Sequence, residues 1–193
     1  MIKVGLCGTI GSGKSTICRL FEQRGVAVYI ADDRAKELMS TDHSLMAQIT
    51  EAFGAECYQN GVLNRQYLAS QIFSDDSKRL LLNSIVHPAV CRHFVQWAES
   101  QGGDYVIVES AILFESGLDR VVDRTIAVVV DADVAITRAA ARDGATREAI
   151  AARMAVQMSS EALSSRVDFV IENNDLEAAE RQVAQIDKSL RML

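Results

Sequence analysis

The chain has 193 residues, of which 49% are hydrophobic, and its formal net charge of -6 goes with an isoelectric point near 5.1. These values suit one globular domain with a continuous core and are not those of a disordered chain. The acidic balance argues against nucleic acid or an anionic lipid surface as a partner, although local cations and backbone N–H groups can still hold a phosphorylated ligand. No apolar run approaches the roughly 20 residues that a membrane span needs.

The cysteines and the N-terminus bear on the cellular compartment. Cys7, Cys18, Cys57 and Cys91 form no C-x-x-C pair and no zinc-like spacing, which favours reduced thiols. The chain starts directly with an apolar strand pattern and shows no signal-peptide pattern. We therefore expect a cytoplasmic protein, as a monomer or a small homo-oligomer.

Five short, mostly apolar runs predict strands, and segments with helical spacing separate them. This alternation indicates an α/β fold in which a five-stranded parallel sheet lies between two layers of helices. The predicted strands cover residues 2–7, 26–30, 105–108, 125–130 and 169–171.

The connection between the second and third strands is unusually long and covers about residues 34–101. It holds helical patterns and a turn signal at Asn60-Gly61 but no convincing strand, so we predict a helical insertion within a single domain of residues 1–193. His87 precedes the only proline, Pro88, and this pair predicts a break between two helices. The second of these helices is expected to start with the proline in its first turn.

The strongest functional signal is the pattern G-x-x-x-x-G-K-[ST] at residues 8–15, between a buried strand and an amphipathic helix. Glycines let successive backbone N–H groups point at phosphate oxygens, and the next helix adds its positive dipole end. Lys14 can reach the β- and γ-phosphates, and the Ser15 hydroxyl can ligate Mg²⁺. The predicted MgATP site consists of Gly11, Ser12, Gly13, Lys14, Ser15 and Thr16.

Several classes of protein share such a phosphate loop. The Asn-Lys-x-Asp motif of GTPase switches is absent from the sequence, as is the signature segment of ABC-type ATPases. The remaining common possibility is a P-loop kinase of a nucleoside or small metabolite, which needs an acceptor-binding insertion and a mobile basic lid. A nucleotide-binding regulatory module stays open as an alternative.

Two acidic residues follow predicted strands, and ligands of parallel α/β sheets bind at the carboxyl ends of the strands. Asp32 is predicted to be the general base for an acceptor hydroxyl, with helix N-capping, alone or shared with Asp33, as the structural alternative. Glu109 is predicted to hold Mg²⁺ or its water ligands.

The segment of residues 133–164 is helix-forming, rich in arginine and interrupted at Gly144. It predicts a helical lid over about residues 134–158, whose arginines neutralise phosphate charge during transfer. Arg142 is the preferred catalytic candidate because the nearby glycine lets its helix pivot. The alternative interpretation is that any single one of these arginines lies on a solvated helix face without a role in catalysis. The lid arginines are Arg138, Arg142, Arg147 and Arg153.

Motifs spread over nearly the whole chain occur in the same order in one known family. The opening reads Gly5-Leu6-Cys7-Gly8-Thr9-Ile10-Gly11-Ser12-Gly13-Lys14-Ser15-Thr16, and the second strand ends in Ile30-Ala31-Asp32 where that family has Asp-Ala-Asp. Further matches are Phe53-Gly54, Gly61-x-Leu63-x-Arg65, His87-Pro88, Leu113-Phe114-Glu115, Arg142-Asp143, Gln157 and Asp168-x-Val170-Ile171-x-Asn173. Together these motifs closely resemble the dephospho-CoA kinases.

The resemblance implies Mg²⁺-dependent transfer of the ATP γ-phosphoryl group to the ribose 3′-hydroxyl of dephospho-CoA, the last step of coenzyme A synthesis. It also implies a nucleotide core, a helical acceptor-binding region and a lid. Asp32 is the implied base, and Asn173 is implied to help hold adenine through its loop. The residues implied to line or order the acceptor side are Arg65, His87 and Glu115.

The sequence departs from the family pattern at several positions. Ile30 replaces the first aspartate of Asp-Ala-Asp, Ala111 stands where proline is frequent, and Leu163 stands where many members have lysine. Residues 39–42 lack the usual Pro-Gly. None of these changes removes the phosphate loop, the predicted base or the lid arginines. Another small-metabolite kinase and an ATP-binding regulatory module remain the alternatives.

Overall fold

The computed structural model describes residues 1–73 and 75–193, so that residue 74 of the predicted insertion lies outside the described residues. The chain divides into two compact units. The sheet unit comprises Met1–Tyr29 and Ala98–Leu193, and the helical unit comprises Ile30–Trp97. Of the described helices, none has both the length and the apolar character that crossing a membrane requires.

The elements of both units are numbered in chain order. The strands are β1 (Ile2–Gly8), β2 (Ala27–Ile30), β3 (Tyr58–Gln59), β4 (Val62–Leu63), β5 (Tyr105–Glu109), β6 (Arg124–Val129) and β7 (Phe169–Glu172). The α-helices are α1 (Lys14–Glu22), α2 (Ala31–Thr41), α3 (His43–Phe53), α4 (Arg65–Phe73), α5 (Asp76–Glu99), α6 (Ala132–Asp143), α7 (Arg147–Ala155), α8 (Ser160–Ser164) and α9 (Leu176–Leu190).

The sheet unit is built on a five-stranded parallel sheet with the strand order β2-β5-β1-β6-β7. In the central strand β1, Leu6 lies opposite Glu109 of β5 on one side and Ile126 of β6 on the other. The predicted five-stranded parallel sheet is therefore confirmed. Because parallel strands end at the same edge, the phosphate loop, Glu109 and the residues after β6 and β7 share one edge of the sheet.

One face of this sheet is covered by α1 and α9. Val4 and Leu6 of β1 are fully buried there together with Ile17 and Phe21 of α1 and Val183 of α9. Burial of each such side chain contributes about 1.5–3 kcal/mol. This packing fixes the start of α1, and with it the loop that precedes α1, against the central strand.

The helical unit contains a short β-hairpin where the sequence predicted only helices and a turn. Strands β3 and β4 pair antiparallel, with Tyr58 opposite Leu63. The turn at Asn60 and Gly61 is predicted correctly, and their φ values of 51° and 78° match the two-residue hairpin turn that Asn-Gly favours. The expectation of no strand in this segment is wrong, because strands of two residues are too short to show an alternating pattern.

The predicted helix break at Pro88 is also wrong, since α5 continues through the proline. Pro88 cannot donate to the carbonyl of Ser84, but Ser84 is exposed, so water can satisfy that carbonyl. Val86 and Val90 are buried on either side of the proline along the helix. Burial of this helix face offsets the lost hydrogen bond and the disfavoured helical conformation of His87.

Helices α6, α7 and α8 cover the segment predicted as the lid. Helix α6 ends at Asp143, and Gly144 caps it with a φ of 62°, a left-handed value that suits glycine. Helix α7 starts after Thr146, whose hydroxyl accepts a hydrogen bond from the N–H of Ala149 at 3.2 Å. The predicted interruption of the helical segment at Gly144 is confirmed.

Candidate active site

The phosphate loop joins β1 to α1 through a backbone that needs glycine. Gly11 and Gly13 have φ values of 76° and 85°, which other residues rarely adopt. Space is restricted as well, because a Cβ on Gly11 would collide with the carbonyl oxygen of Ala135, and a Cβ on Gly13 would collide with the side chain of Asn173. The glycines of the pattern therefore let α6 and the end of β7 approach the loop closely.

Several backbone N–H groups of the loop have no acceptor in the described part of the chain. They belong to Gly11, Gly13 and Ser15, whereas the N–H of Ser12 donates to the carbonyl of Thr9 at 3.2 Å. Unpaired donors at the start of a helix, where the helix dipole is positive, attract phosphate oxygens. The loop therefore has the donors that a polyphosphate needs.

The ammonium group of Lys14 lies over the same loop. Its Nζ donates to the carbonyl of Gly8 at 2.9 Å and to the carbonyl of Thr9 at 3.3 Å. Both acceptors are neutral carbonyl groups, and charged phosphate oxygens form stronger hydrogen bonds with an ammonium group. A bound phosphate can therefore compete for this side chain.

Asn173 connects the phosphate loop to the end of β7. Its side chain is buried, and Nδ2 donates to the carbonyl of Ser12 at 2.8 Å. Its N–H donates to the carbonyl of Val129 at 2.8 Å, and its own carbonyl accepts from Nη1 of Arg138 at 2.9 Å. The Asn173 amide thus positions the loop, and contact with adenine through the neighbouring backbone stays a prediction.

The other arginines of the predicted lid are paired with carboxylates. Asp143 accepts from Nε of Arg142 at 2.7 Å and from Nη1 of Arg153 at 3.0 Å, while Arg147 pairs with Asp133 at 3.0 Å. The hydrogen bonds from Arg142 and Arg153 hold the pKa of the Asp143 carboxyl below its ordinary value, so this carboxylate stays charged. The Arg142 side chain is 64% exposed, and ion pairs this exposed are weak. Phosphate can therefore displace the carboxylate from Arg142.

Glu109 and Ser15 are the predicted metal ligands. Glu109 ends β5 opposite Leu6, close to where the loop begins. Burial raises the pKa of the Cys18 thiol to about 12. The negative charge of Glu109 adds to this rise, and the positive charge of Lys14 opposes it. Glu109 and Lys14 therefore both lie near Cys18 in the first turns of α1. Ser15 is in the first of those turns. One carboxylate and one hydroxyl suit Mg²⁺, which keeps most of its water and phosphate ligands.

A cation that binds mainly to protein side chains does not fit this part of the molecule. Within the described residues, no group of three or more His, Cys, Asp or Glu side chains could hold a metal ion. The Cys7 thiol at the end of β1 is also an unsuitable ligand, because burial raises its pKa to about 12 and keeps it protonated. Cys7 is buried, as the sequence predicts.

Three predicted residues belong to the helical unit, each on a different helix. Asp32 is exposed in the first turn of α2, whose N-cap is Ile30 without a side-chain hydrogen bond, so the N-capping interpretation of Asp32 is wrong. Arg65 is the exposed first residue of α4. His87 is half-buried in α5, and burial lowers the pKa of its imidazole, which favours the neutral form at pH 7.

Glu115 lies in the sheet unit, near a cation that was not predicted from the sequence. The charges of Glu115 and Arg166 both act on the Cys7 thiol, Glu115 raising its pKa and Arg166 lowering it, after the larger effect of burial. The guanidinium carbon of Arg166 lies 4.1 Å from the centre of the Phe114 ring. Phe114 and Arg166 are distant in the chain, so no local pattern could reveal this contact.

A cavity of about 660 Å³ in the sheet unit opens beside the phosphate loop. Its walls include Thr9 of the loop, Met154 of α7, Asn174 after β7, and Gln157. Gln157 matches the family pattern, but the sequence alone gave it no role. Its Oε1 accepts a hydrogen bond from the N–H of Ile10 at 2.9 Å, which makes it a further residue in contact with the loop.

Comparison with known proteins matches most of the chain to one family. The dephospho-CoA kinase family model matches residues 2–179 of the chain. A dephospho-CoA kinase from Salinibacter ruber is 42% identical over 178 residues, which is 90% of this chain and 89% of the relative.

Solved structures resemble the whole chain. The protein TT1252 from Thermus thermophilus is 29% identical with a TM-score of 0.81, and the match covers 97% of this chain and 96% of that one. A dephospho-CoA kinase from Campylobacter jejuni is 19% identical with a TM-score of 0.70, covering 98% and 97% of the two chains, and this likeness concerns the fold alone.

Proposed function

We propose that this chain, which belongs to the dephospho-CoA kinase family, transfers the γ-phosphoryl group of ATP to the ribose 3′-hydroxyl of dephospho-CoA and so forms CoA. The observation that carries this proposal is the phosphate loop in its setting at the sheet edge. Within the described residues the N–H groups of Gly11, Gly13 and Ser15 have no acceptor, and the ammonium group of Lys14 contacts carbonyls of the same loop. Such a set of donors binds a polyphosphate, and the family identifies it as ATP.

In the proposed reaction, Asp32 accepts the proton of the 3′-hydroxyl while the ribose oxygen bonds to the γ-phosphorus. The bond from that phosphorus to the bridging oxygen breaks, and ADP leaves. Asp32 suits this role because its carboxylate is exposed and accepts no hydrogen bond from the described residues. Lys14 and Arg142 neutralise the charge of the transferred group.

The proposed ATP site uses the loop and two residues packed against it. Arg138 donates to the backbone of Asn173, and both lie beside Gly13 at the start of α1. We assign Arg138 to the nucleotide, since Arg guanidinium planes stack on aromatic rings. We assign the backbone next to Asn173 to adenine, as the family resemblance implies. The residues proposed to bind ATP are Gly11, Ser12, Gly13, Lys14, Ser15, Thr16, Arg138 and Asn173.

Mg²⁺ is part of the proposal through Ser15 and Glu109. When bound, the ion offsets negative charge on the β- and γ-phosphates. The Ser15 hydroxyl is the proposed direct ligand, and Glu109 is proposed to bind the ion or its water ligands. Both residues belong to the sheet unit that holds the loop.

The proposed acceptor contacts are Arg65, His87 and Glu115. Arg65 is an exposed cation, which suits the diphosphate of dephospho-CoA. His87 is favoured in its neutral form, so it can donate and accept hydrogen bonds at once. Glu115 can accept hydrogen bonds from hydroxyl or amide groups of the acceptor.

We also propose a cytoplasmic location, because Cys7, Cys18 and Cys57 are buried as thiols, which a reducing compartment preserves. A monomer or a small homo-oligomer without nucleic-acid or membrane partners remains the expectation from the sequence. A reaction between two small molecules needs none of these partners.

The test is a measurement of ADP and CoA formed from MgATP and dephospho-CoA. Adenosine, AMP and shikimate serve as alternative acceptors, and a reaction without acceptor serves as the blank. We expect CoA to appear in amounts equal to ADP with dephospho-CoA only. Lys14→Ala is expected to reduce this rate by about 10²-fold or more, since the ammonium group stabilises the transferring phosphoryl group.

The other outcomes point to the two alternatives. Turnover of adenosine, AMP or shikimate without turnover of dephospho-CoA would retain a small-metabolite kinase and discard the proposed acceptor. Tight ATP binding without ADP release for any acceptor would favour an ATP-binding regulatory module.

A further inference from the structure

The amide side chain of Gln157 forms a direct hydrogen bond to the phosphate loop. Its Oε1 accepts from the backbone N–H of Ile10 at 2.9 Å, although the two residues are 147 positions apart in the chain. A backbone N–H is an obligatory donor, so the bond satisfies a group that would otherwise need water or a ligand. The contact therefore joins two segments that the sequence assigns to different parts of the enzyme.

Gln157 lies where the lid segment returns to the sheet. It follows α7 and precedes α8, and its N–H donates to the carbonyl of Met154 at 3.0 Å. Its neighbour Val156 is 87% exposed, whereas Gln157 is half-buried and lines the cavity beside the loop. The turn after α7 thus directs this one amide inward.

Ile10 occupies the middle of the loop, between two residues that are already engaged. The carbonyl of Thr9 accepts from Lys14 and from the N–H of Ser12. Gly11 lies against the backbone of Ala135 in α6. The lid segment therefore touches the loop at two successive residues, through α6 at Gly11 and through Gln157 at the residue before it.

We propose that Gln157 is a positioning residue that couples the lid to the phosphate loop. While the turn between α7 and α8 is docked, the amide oxygen of Gln157 holds the Ile10 N–H and fixes the curvature of the loop that presents the neighbouring donors to ATP. When this turn moves away, the loop loses this support. The kinetic part of this inference rests on the proposed kinase function, whereas the structural part does not.

The chemistry of the contact selects the variants. Gln157→Leu keeps a similar volume but removes the acceptor. Gln157→Glu keeps an acceptor oxygen and adds a negative charge beside the triphosphate site. The control is Gln48→Leu, because Gln48 lies in the helical unit and its amide donates, among the described residues, to Ser44 of the same helix α3.

The first readout is hydrogen exchange at the Ile10 amide in the protein without substrates. We expect the Ile10 amide of Gln157→Leu to exchange several-fold and up to about tenfold faster than that of the wild type, as the loss of one hydrogen bond of ordinary strength predicts. Gln157→Glu should retain most of the protection, and Gln48→Leu should match the wild type. Equal protection of Ile10 in Gln157→Leu and wild type would overturn the proposal, whatever the thermal stability of the variant.

The second readout separates coupling from a purely structural role. Limited proteolysis by trypsin at Arg147 and Arg153 is followed with and without a non-hydrolysable ATP analogue. We expect the analogue to slow cleavage of the wild type and of Gln48→Leu, and to slow cleavage of Gln157→Leu much less. An equal effect of the analogue on all three proteins would contradict the coupling.

The kinetic readout completes the test. In Gln157→Leu, kcat/KM for ATP should fall about tenfold, the effect of one lost hydrogen bond, while KM for dephospho-CoA stays within about twofold. A fall confined to the acceptor KM would contradict the assignment. A wild type without dephospho-CoA kinase activity would sink the proposed function, and the exchange and proteolysis measurements would still decide whether Gln157 couples lid and loop.

Discussion

Two adjacent carboxylates in the first turn of α2 have different surroundings. Asp33 pairs with Lys36 at 3.0 Å, an exposed ion pair within the helix. Asp32 is exposed without a hydrogen bond from the described residues, and it does not cap the helix. A general base needs a carboxylate that is free to accept a proton from substrate, and only Asp32 meets that condition.

These two residues give a matched pair of variants. We expect Asp32→Asn to lower kcat by about 10²–10⁴-fold, the usual contribution of a general base, and to leave ATP affinity within about twofold. Asp33→Asn removes the same charge one residue away and should leave kcat nearly unchanged. Steady-state kinetics and calorimetric ATP titration check both variants. Equal losses in the two proteins would indicate a charge effect of α2 rather than a base.

At the scale of elements, the phosphate loop depends on the helix that follows β6. Helix α6 approaches so closely that the Gly11 position has no room for a Cβ next to Ala135, and Gly11 also has a positive φ. Gly25, between α1 and β2, has a similar φ of 80°, but apart from Gly25 and its two chain neighbours no described residue has an atom within 4 Å of the place that a Cβ would occupy. A side chain at Gly25 would therefore meet backbone strain alone, whereas a side chain at Gly11 would meet backbone strain and a collision with α6.

Alanine substitutions should reveal this difference. Gly25→Ala is expected to cost about 1–2 kcal/mol of unfolding free energy, from the left-handed conformation alone. Gly11→Ala adds a collision between two backbones and should destabilise the protein further and abolish measurable ATP binding. Denaturant unfolding and nucleotide titration provide the comparison. ATP affinity of Gly11→Ala equal to that of Gly25→Ala would show that α6 does not restrain the loop.

At the scale of the whole sheet unit, the last helix, α9, and the residue after it form hydrogen bonds to the start of β5 and to the segment after α1. The hydroxyl of Tyr105, at the start of β5, donates to Asp187 of α9 at 2.7 Å. Arg191 donates to the same carboxylate at 2.9 Å and to the carbonyl of Arg24 after α1 at 2.9 Å. This cluster lies at the edge of the sheet opposite to the phosphate loop, because β5 begins where β1 begins. Its role is therefore stability rather than catalysis.

The pH dependence of stability should report this cluster. Burial, followed by the hydrogen bond to Asp187, raises the pKa of the Tyr105 hydroxyl above its ordinary value near 10. Its contribution is complete below pH 10 and is lost as the pH rises, since the unfolded chain then releases a proton that the folded chain retains. Above pH 10, the unfolding free energy of wild type should fall more steeply than that of Tyr105→Phe, by about 1.4 kcal/mol per pH unit at most.

The same variant should be less stable than wild type at pH 7 by about 1 kcal/mol, the net value of one hydrogen bond, with kcat unchanged. Urea unfolding at several pH values measures both effects. Parallel pH profiles for the two proteins would show that the Tyr105 hydroxyl does not stabilise the fold.

Local patterns in the sequence were enough to predict the five strands of the parallel sheet along the chain and the phosphate loop, but not the order of the strands within the sheet. Apolar runs mark strands, and glycines at Gly11, Gly13 and Gly144 mark positions that need an unusual backbone conformation. The rule for Pro88 failed because it weighs only the backbone near the proline. The burial of α5 on both sides of the residue, which no local pattern contains, outweighs that preference.

What the sequence determined by itself about this protein is the chemistry along the chain: a strand, a phosphate loop, a carboxylate after the second strand and an arginine-rich helical segment. Only the tertiary structure decided which of these groups are already engaged. It shows hydrogen bonds from the Ile10 N–H to Gln157, from Asn173 to the carbonyl of Ser12 in the loop, and from Arg142 to Asp143. The first two contacts join residues that lie far apart in the chain, and their geometry depends on how helices and strands pack, which short-range spacing does not encode.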